Sequence, residues 1–422
     1  MSTPVDLTLE TLQNAAKTAA AFRSRRRLQP AGGEGDKVFP PTFAGAVYAI
    51  EGRRVPGCAE PVPCVLLDSV QSQANRMEQA LQEAIDGGKL RMPLVVVDFS
   101  EHDPKDGGAK QEGKLIDAVG KVTSLQVPHR LADAILRDSN AKGRPFRNSD
   151  QGKALNRVSL ANATPLFQMC PTALLFGMWD STGPKGGLGP KFERAMVSEI
   201  VGVGAEVGDL RRGVRRDPLE IRAAVKVIKA ADKTWKLAEP DAKKAVAPSE
   251  VNHSSVPFPK QREKKTDDNH YDGVTLEHAE QITTLSLIVL RRLRFPVSGT
   301  TSPEADHAAR TVLAALGLAA ATLAFESGVG LRSRCLLWPD GPMTWELLDK
   351  PSERPKSFTV TGDNAINLLN KAVAAAKAVK LPWPEEAIVL KPSTGSGRTE
   401  NLVELVRRSQ LEATKEEADG GK

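Results

Sequence analysis

The sequence predicts an α+β fold of ferredoxin-like plan, and three observations carry that prediction. Strand and helix patterns alternate: the apolar stretch "CVLLD" (64–68), a helix, "PLVVVDF" (93–99), a second helical stretch, then "PTALLFGMWD" (171–180). A charged, proline-containing stretch at 211–274 interrupts this order. The order then resumes through 275–391, and no internal repeat replaces it.

The elements follow in order. Residues 6–24, "DLTLETLQNAAKTAAAFRS", consist of helix formers with an acidic first turn and predict a helix. The Gly/Pro-rich stretch "LQPAGGEGDKVFPPTFAG" (28–45) predicts a loop, and "YAIEGRR" (48–54) a short strand. After "CVLLD", Ser69 is placed to cap a helix in which Val70, Ala74, Met77, Leu81 and Ile85 recur at helical spacing, with Gly87 and Gly88 as its stop. "PLVVVDF" reads as a buried β-branched strand, and "VPHRLADAILRDS" (127–139) returns to helical period. "PTALLFGMWD" predicts a strand and "KFERAMVSEIVGV" (191–203) a helix, with the glycine-rich "STGPKGGLGP" between them. Ser302 and Pro303 open a strong helix that ends near Gly328. "RSRCLLWP" (332–339) and "SFTVTG" (357–362) predict strands, and Asp363 is expected to cap a last core helix. The organisation is therefore an N-terminal part of the core over 1–210, an insertion over 211–274, a C-terminal part over 275–391, and a loose tail over 392–422 with a short helix near "LVELVRR".

The 422 residues carry a net charge of +6 and are 40% hydrophobic, enough for a substantial core. No apolar run reaches the roughly 18 residues of a spanning helix, and the start "MSTPVDLTLETLQ" lacks a signal-peptide apolar region. The expectation is a cytoplasmic protein without membrane contact. Cys58, Cys64, Cys170 and Cys335 are scattered and form no zinc-knuckle spacing, so reduced thiols and no metal site are expected. The sequence implies no cofactor.

Positive charge is clustered. "RSRRR" (23–27), "RRGVRR" (211–216), "KQREKK" (260–265) and "RRLRF" (291–295) suit phosphate, which the guanidinium fork bonds bidentately. The glycine-rich loop is neither a Walker A loop nor a dinucleotide fingerprint: Gly183 and Gly189 have the wrong spacing, and Gly187-Leu188-Gly189 has no third glycine in place. Placed between a strand and a helix, it would offer backbone amides and the positive helix end to an anion. Two tyrosines and 5% aromatics, without the aromatic pattern of an RNA-recognition motif, favour grip on phosphates over reading of bases. Asp68, Asp98 and Asp180 each end a strand candidate, where a metal-dependent ribonuclease would place carboxylates; capping or pairing with arginine is the alternative. A third alternative is an assembly scaffold whose basic runs make subunit contacts.

Together, "LQPAGGEGDKVFPPTFAG", "VLLDSVQSQANRMEQAL", "VPHRLADAILRDS" and "PTALLFGMWDSTGPKGGLGPKFERAMVSEIVGV" resemble the backbone subunit of type I-G (formerly I-U) CRISPR effector complexes, in the repeat-associated RAMP superfamily. The resemblance is dense over 20–210 and loose elsewhere. It implies a modified RRM palm with inserted finger and thumb segments, the 211–274 insertion being one of them. It implies copies stacked along one CRISPR RNA, presenting the spacer to target DNA, with other Cascade subunits as partners and no nuclease activity of its own. The residues expected to hold RNA are then Lys185 and Lys191 on phosphates, with Gly186, Gly187 and Gly189 letting amides approach. Arg25, Arg26 and Arg27 form a second set, with Lys37 in the loop after them. Gln71, Gln73, Asn75 and Arg76 form a polar cluster at a helix start, and His129 and Arg130 open the next helical stretch.

Overall fold

The structure, a computed structural model, describes residues 5–44, 47–104, 114–184, 186–208, 218–222, 224–230, 234–239, 242–251, 253, 273–395 and 401–419. The chain forms two compact units: Met1–Glu101, Val119–Glu206 and Gly273–Leu402 make the first, and His102–Ala118, Val207–Asp272 and Val403–Lys422 the second.

The first unit opens with α1 (Leu9–Thr18), capped by the Thr8 hydroxyl. The helix predicted over 6–24 stops there, because "AFRSRRRLQP" is a strand, β1 (Ala21–Pro30). Its side chains alternate: Phe22, Ser24, Arg26 and Leu28 are buried while Arg25 and Arg27 are exposed. That period of two is the signature of a half-covered strand. β2 (Val62–Asp68) leads through the Ser69 cap into α2 (Val70–Asp86), as the sequence predicts. β3 (Met196–Val203) and β4 (His278–Ser286) pair antiparallel along their whole lengths. From β4 the chain reaches α3 (Pro303–Glu326), then β5 (Thr344–Leu348) and α4 (Gly362–Ala378). The main sheet runs Val5–Asp6, Lys356–Thr359, β5, β1, β4, β3, β2, Ile50–Arg53, and Cys335–Pro339 also pairs with β1. Because β4 and β5 are both antiparallel to the β1 strand between them, β4–α3–β5 is a split β-α-β unit.

α3 is the helix on which the layer is built. Ser302 caps it, Pro303 occupies its first turn, and Gly328, at φ +96°, follows its C-cap. By length and composition it could cross a membrane, but 72% of that apolar window is buried inside the protein, against α1, α2 and α4. A helix apolar on all sides is here a core helix. α4 is capped by Thr361 rather than Asp363: the Thr361 hydroxyl accepts from the Asn364 amide at 3.3 Å. A second sheet of five strands runs Arg144–Pro145, Ser139–Ala141, Ile388–Pro392, Val95–Asp98, Lys121–Thr123.

Two predicted elements change type. "PTALLFGMWD" contains a short helix, Thr172–Phe176, and then a two-residue strand, Met178–Trp179. A short continuous apolar run is the same for a buried strand and a buried helix, and all five helix residues are buried. "MVSEIVGV", predicted helical, is β3; β2 and β4 flank it on both sides and take up its backbone hydrogen bonds. The segment 127–139 is helical only as a 3₁₀ turn at Arg130–Ala132 and a short helix at Ala134–Arg137.

In the second unit, Val227–Lys229 and Trp235–Leu237 form a hairpin. The tail helix, α5 (Leu402–Asp419), is longer than the sequence predicts. Its Gln410 side chain accepts from the Ile116 and Asp117 amides at 2.9 and 3.3 Å and donates to the Asp117 carbonyl at 3.0 Å.

In the first unit a buried ion pair ties α2 to the segment after Val127. Arg130 donates to both oxygens of Glu78 at 2.7 Å and to the Gly177 carbonyl at 3.0 Å. Removing one member strands the other charge without water. Glu78→Met is expected to lower the unfolding free energy by about 3–5 kcal/mol, and Glu78→Met with Arg130→Met by much less. Urea unfolding of the two variants checks this; equal losses would mean the pair is not coupled.

Candidate nucleic-acid interface

Strand alternation sorts the main sheet into two faces. α2 and α3 cover one, and the buried Phe22, Ser24, Arg26 and Leu28 of β1, Met196, Ser198 and Ile200 of β3, and Ala279, Gln281, Thr283 and Leu285 of β4 point to it; Val201 and Val203 of β3 lie on the other face, buried in a small cluster with Cys64. The other face carries Arg23, Arg25, Arg27 and Gln29 from β1, Glu280 and Ile282 from β4, and Val197 and Glu199 from β3. Most of its cations are paired across strands. Arg23 bonds Glu346 at 2.7 Å, Arg25 bonds Glu280, and Arg53 bonds Glu199 at 2.8 Å. Opposite charges on facing strands stabilise the sheet modestly and align the arginine stems. Arg27 is exposed and has no ion pair among the described residues. Trp338 lies directly opposite Gln29, so its indole stands on this same face, 69% exposed.

The sequence-predicted residues divide by face. Arg25 and Arg27 stand together on the open side. Arg26, between them, points the other way: it is buried, with its guanidinium 3.8 Å from the Phe325 ring centre on α3. Its Nε and Nη1 have no hydrogen-bond partner among the described residues, and burial pushes its pKa down to about 9.

The polar cluster at the start of α2 also splits. Gln71 and Asn75 are exposed on one side of the helix. Gln73 is buried: its Nε2 donates to Asp68 at 2.6 Å, and its Oε1 accepts from Ser198 at 2.9 Å and Gln281 at 2.8 Å. Arg76 donates to Asp68 at 2.9 Å and to the carbonyls of Gly330 and Leu331 at 3.1 and 2.8 Å. Gln73 and Arg76 therefore serve the protein interior, not a surface ligand. Arg130 does the same through Glu78, whereas His129 next to it is exposed. Lys37 is half-buried, and its amide donates to Asp36 at 2.9 Å.

The glycine-rich loop is the turn of a hairpin, not a strand-to-helix connection. Met178–Trp179 pairs antiparallel with Lys191–Phe192, so the helix end expected to attract an anion does not exist. Gly183 and Gly189 are required by close packing on Asp180: a Cβ at these positions would lie 2.5 Å from its carboxylate and 1.9 Å from its carbonyl oxygen. Gly186, at φ +54°, and Gly187 face open space in the 3₁₀ turn Gly186–Leu188. Lys191 lies 5.4 Å from the Trp179 ring centre. Lys185 lies outside the described residues.

The three strand-end aspartates are each held by cations. Asp68 is buried between Arg76 and Arg332, and Asp180 is bonded bidentately by Arg147 at 2.7 and 2.8 Å. Asp98 pairs with Lys391 at 3.3 Å, and hydrogen bonds from Ser100, then Lys391, hold its carboxyl below the usual range. Among the described residues no group of three or more His, Cys, Asp or Glu could hold a metal ion. The four cysteines are free thiols.

Sequence reasoning missed Trp338 and Gln29. The signal for Trp338 is alternation in "CLLWP", where Cys335 and Leu337 are buried and Leu336 and Trp338 exposed.

Arg26 gives a test of the face assignment. Arg26→Met removes a desolvated, unpaired charge and is expected to leave the unfolding midpoint equal to or above that of the parent. A lowered folded-state pKa for a base means the unfolded chain binds more protons, so the parent gains stability as pH rises through about 9. The gap between variant and parent should narrow there. A clear loss of stability in Arg26→Met at pH 7 would overturn this.

Residues 22–207, a little under half of the chain, match the family model described as CRISPR-associated protein GSU0053 (Cas_GSU0053). No curated protein matches the chain. The match begins within β1 and takes in β2, α2, the 178–192 hairpin and β3. It supports a CRISPR-associated role for the chain.

Proposed function

We propose that the chain is the backbone subunit of a type I-G CRISPR effector complex. It holds CRISPR RNA, polymerises head to tail along it, and presents the spacer for pairing with target DNA. The observation that carries the reading is the open, arginine-bearing face of the main sheet, whose β2 and β3 and all but the first residue of β1 lie within the stretch matching CRISPR-associated proteins. A surface that must accept any spacer grips phosphate and ribose through cations and leaves pairing edges free. Arg25 and Arg27 are the phosphate ligands on this face, and Lys191, exposed on the hairpin, is a further cation for phosphate. The sheet is a modified RRM palm, and its split β-α-β unit supports that description.

The role is structural rather than nucleolytic. The carboxylates that a metal-dependent ribonuclease would use, Asp68, Asp98 and Asp180, are each engaged by an arginine or lysine. Companion Cascade subunits and further copies of this chain are the protein partners, in the cytoplasm. Head-to-tail contacts between identical subunits build an open filament of the kind a guide RNA templates.

Co-expression with CRISPR RNA and the companion subunits tests the assignment. The expected product contains one discrete RNA protected over many copies, read from the absorbance ratio and RNA length. A nucleic-acid-free monomer would overturn it. Arg25→Gln with Arg27→Gln should weaken retention and reduce the log–log salt slope by about 1.4 for two lost phosphate contacts on a single strand. An unchanged slope would remove these arginines from the interface.

A further inference from the structure

We propose that Trp338, with Arg27 and Gln29 beside it, is a stacking subsite for one base of a single-stranded RNA. The inference rests on the RNA-holding reading and deepens it, because it adds contact with bases to a surface otherwise read as gripping the backbone alone.

Register places the residues together. Gln29 and Trp338 are directly opposed across the β1 pairing, and Leu28 opposes Pro339. Opposed side chains leave a sheet on the same side, and side chains two apart on a strand share that side. Arg27 and Trp338 are therefore diagonal neighbours on the open face. The Gln29 Nε2 donates to the Glu277 carbonyl at 3.2 Å, which fixes the amide beside the indole. On the far side of Leu336 its strand partner is Gly330, which adds no side chain above the surface. Trp338 is 69% exposed and Leu336 53%, so the indole stands over a low platform.

The chemistry of this corner selects the ligand. An exposed indole is a stacking surface for any base, and stacking is tolerant of sequence. Arg27 is the cation at this corner: it is exposed and has no ion pair among the described residues, unlike Arg23, Arg25 and Arg53. His278, on the same face, is pushed below the ordinary histidine pKa by burial and then by the Arg27 charge. It adds no competing cation at neutral pH. A guanidinium one diagonal step from an indole matches the spacing between the phosphate and the base of one nucleotide. A double strand has its bases stacked on one another and offers none to Trp338; a single strand does.

The test uses the full-length chain and a short uridine-rich single-stranded RNA, with an abasic oligomer of equal length as the probe lacking bases. Trp338→Ala, at an exposed position, is expected to weaken binding of the RNA by about tenfold to a hundredfold, to leave the abasic oligomer unaffected, and to be rescued by Trp338→Phe. Equal affinities of Trp338→Ala and the parent for RNA would overturn the stacking subsite. If Arg25→Gln with Arg27→Gln still weakened binding in that case, the RNA-holding reading would survive without it. A parent chain that binds neither oligomer would overturn both. Shortened assemblies with unchanged RNA affinity would assign Trp338 to contact between copies, and would overturn the subsite too.

Discussion

The burial of one carboxylate organises this protein. Asp68 ends β2 with 1% of its surface exposed, and a charge taken out of water at that depth must be matched on every side. α2 supplies Gln73 and Arg76, and the strand Val329–Arg332 supplies Arg332 at 3.6 Å. The same groups reach further than Asp68. The Gln73 carbonyl oxygen accepts from β3 and β4 through Ser198 and Gln281, and Ser198 and Thr283 share a hydrogen bond of 2.8 Å. Arg76 holds the carbonyls of Gly330 and Leu331. One buried charge thus fixes the helix start, the two middle strands and the strand that pairs with Cys335–Pro339. The matched donors and acceptors constrain the positions that carry them, while the buried Gln281 Oε1 has no partner among the described residues.

Gln73 and Arg76 of α2 are engaged in the interior while Gln71 and Asn75 stay exposed on the helix, and the far side of the sheet presents its own row of arginines. There the cross-strand pairs Arg23–Glu346, Arg25–Glu280 and Arg53–Glu199 hold arginine stems flat against the pleat and offset much of their charge. Arg27, diagonal to Trp338, is exposed and has no ion pair among the described residues. Under the proposed RNA-holding role, a modest, aligned positive surface would suffice, since contacts would repeat with each copy and none would need to be strong alone.

The hairpin Met178–Phe192 shows the same economy of charge. Asp180 at its base is neutralised by Arg147, and the turn folds back closely enough that Gly183 and Gly189 have no room for a side chain. Half of the loop's glycines are therefore explained by packing on Asp180. Gly186 and Gly187, which face open space, carry the conformational freedom of the tip. The tip also carries Leu188, 89% exposed, and the base carries Trp179 against Lys191, so the projecting surface is mixed apolar and cationic.

The sequence by itself determined the α+β class, the β2–Ser69–α2 unit, the Val95–Asp98 strand and the Ser302–Pro303 start of α3. In each, the local signal and the final environment agree: in α2 and α3 the caps satisfy orphan amides where an apolar period begins, and Val95, Val96 and Val97 are buried in their strand. Only the tertiary structure decided the rest. "AFRSRRRLQP" carries helix-forming alanine and arginine, yet β4 and β5 flank it and make it a strand, and strand period then separates Arg26 from Arg25 and Arg27. "MVSEIVGV" has no period that distinguishes helix from strand until β2 and β4 supply its hydrogen bonds. Gln71, Gln73, Asn75 and Arg76 are equally polar, and a helix sends them to different sides; which side is the interior depends on Asp68, Ser198 and Gln281, up to 208 residues away. Periodicity divides an element into faces, but only long-range partners decide which face is solvent.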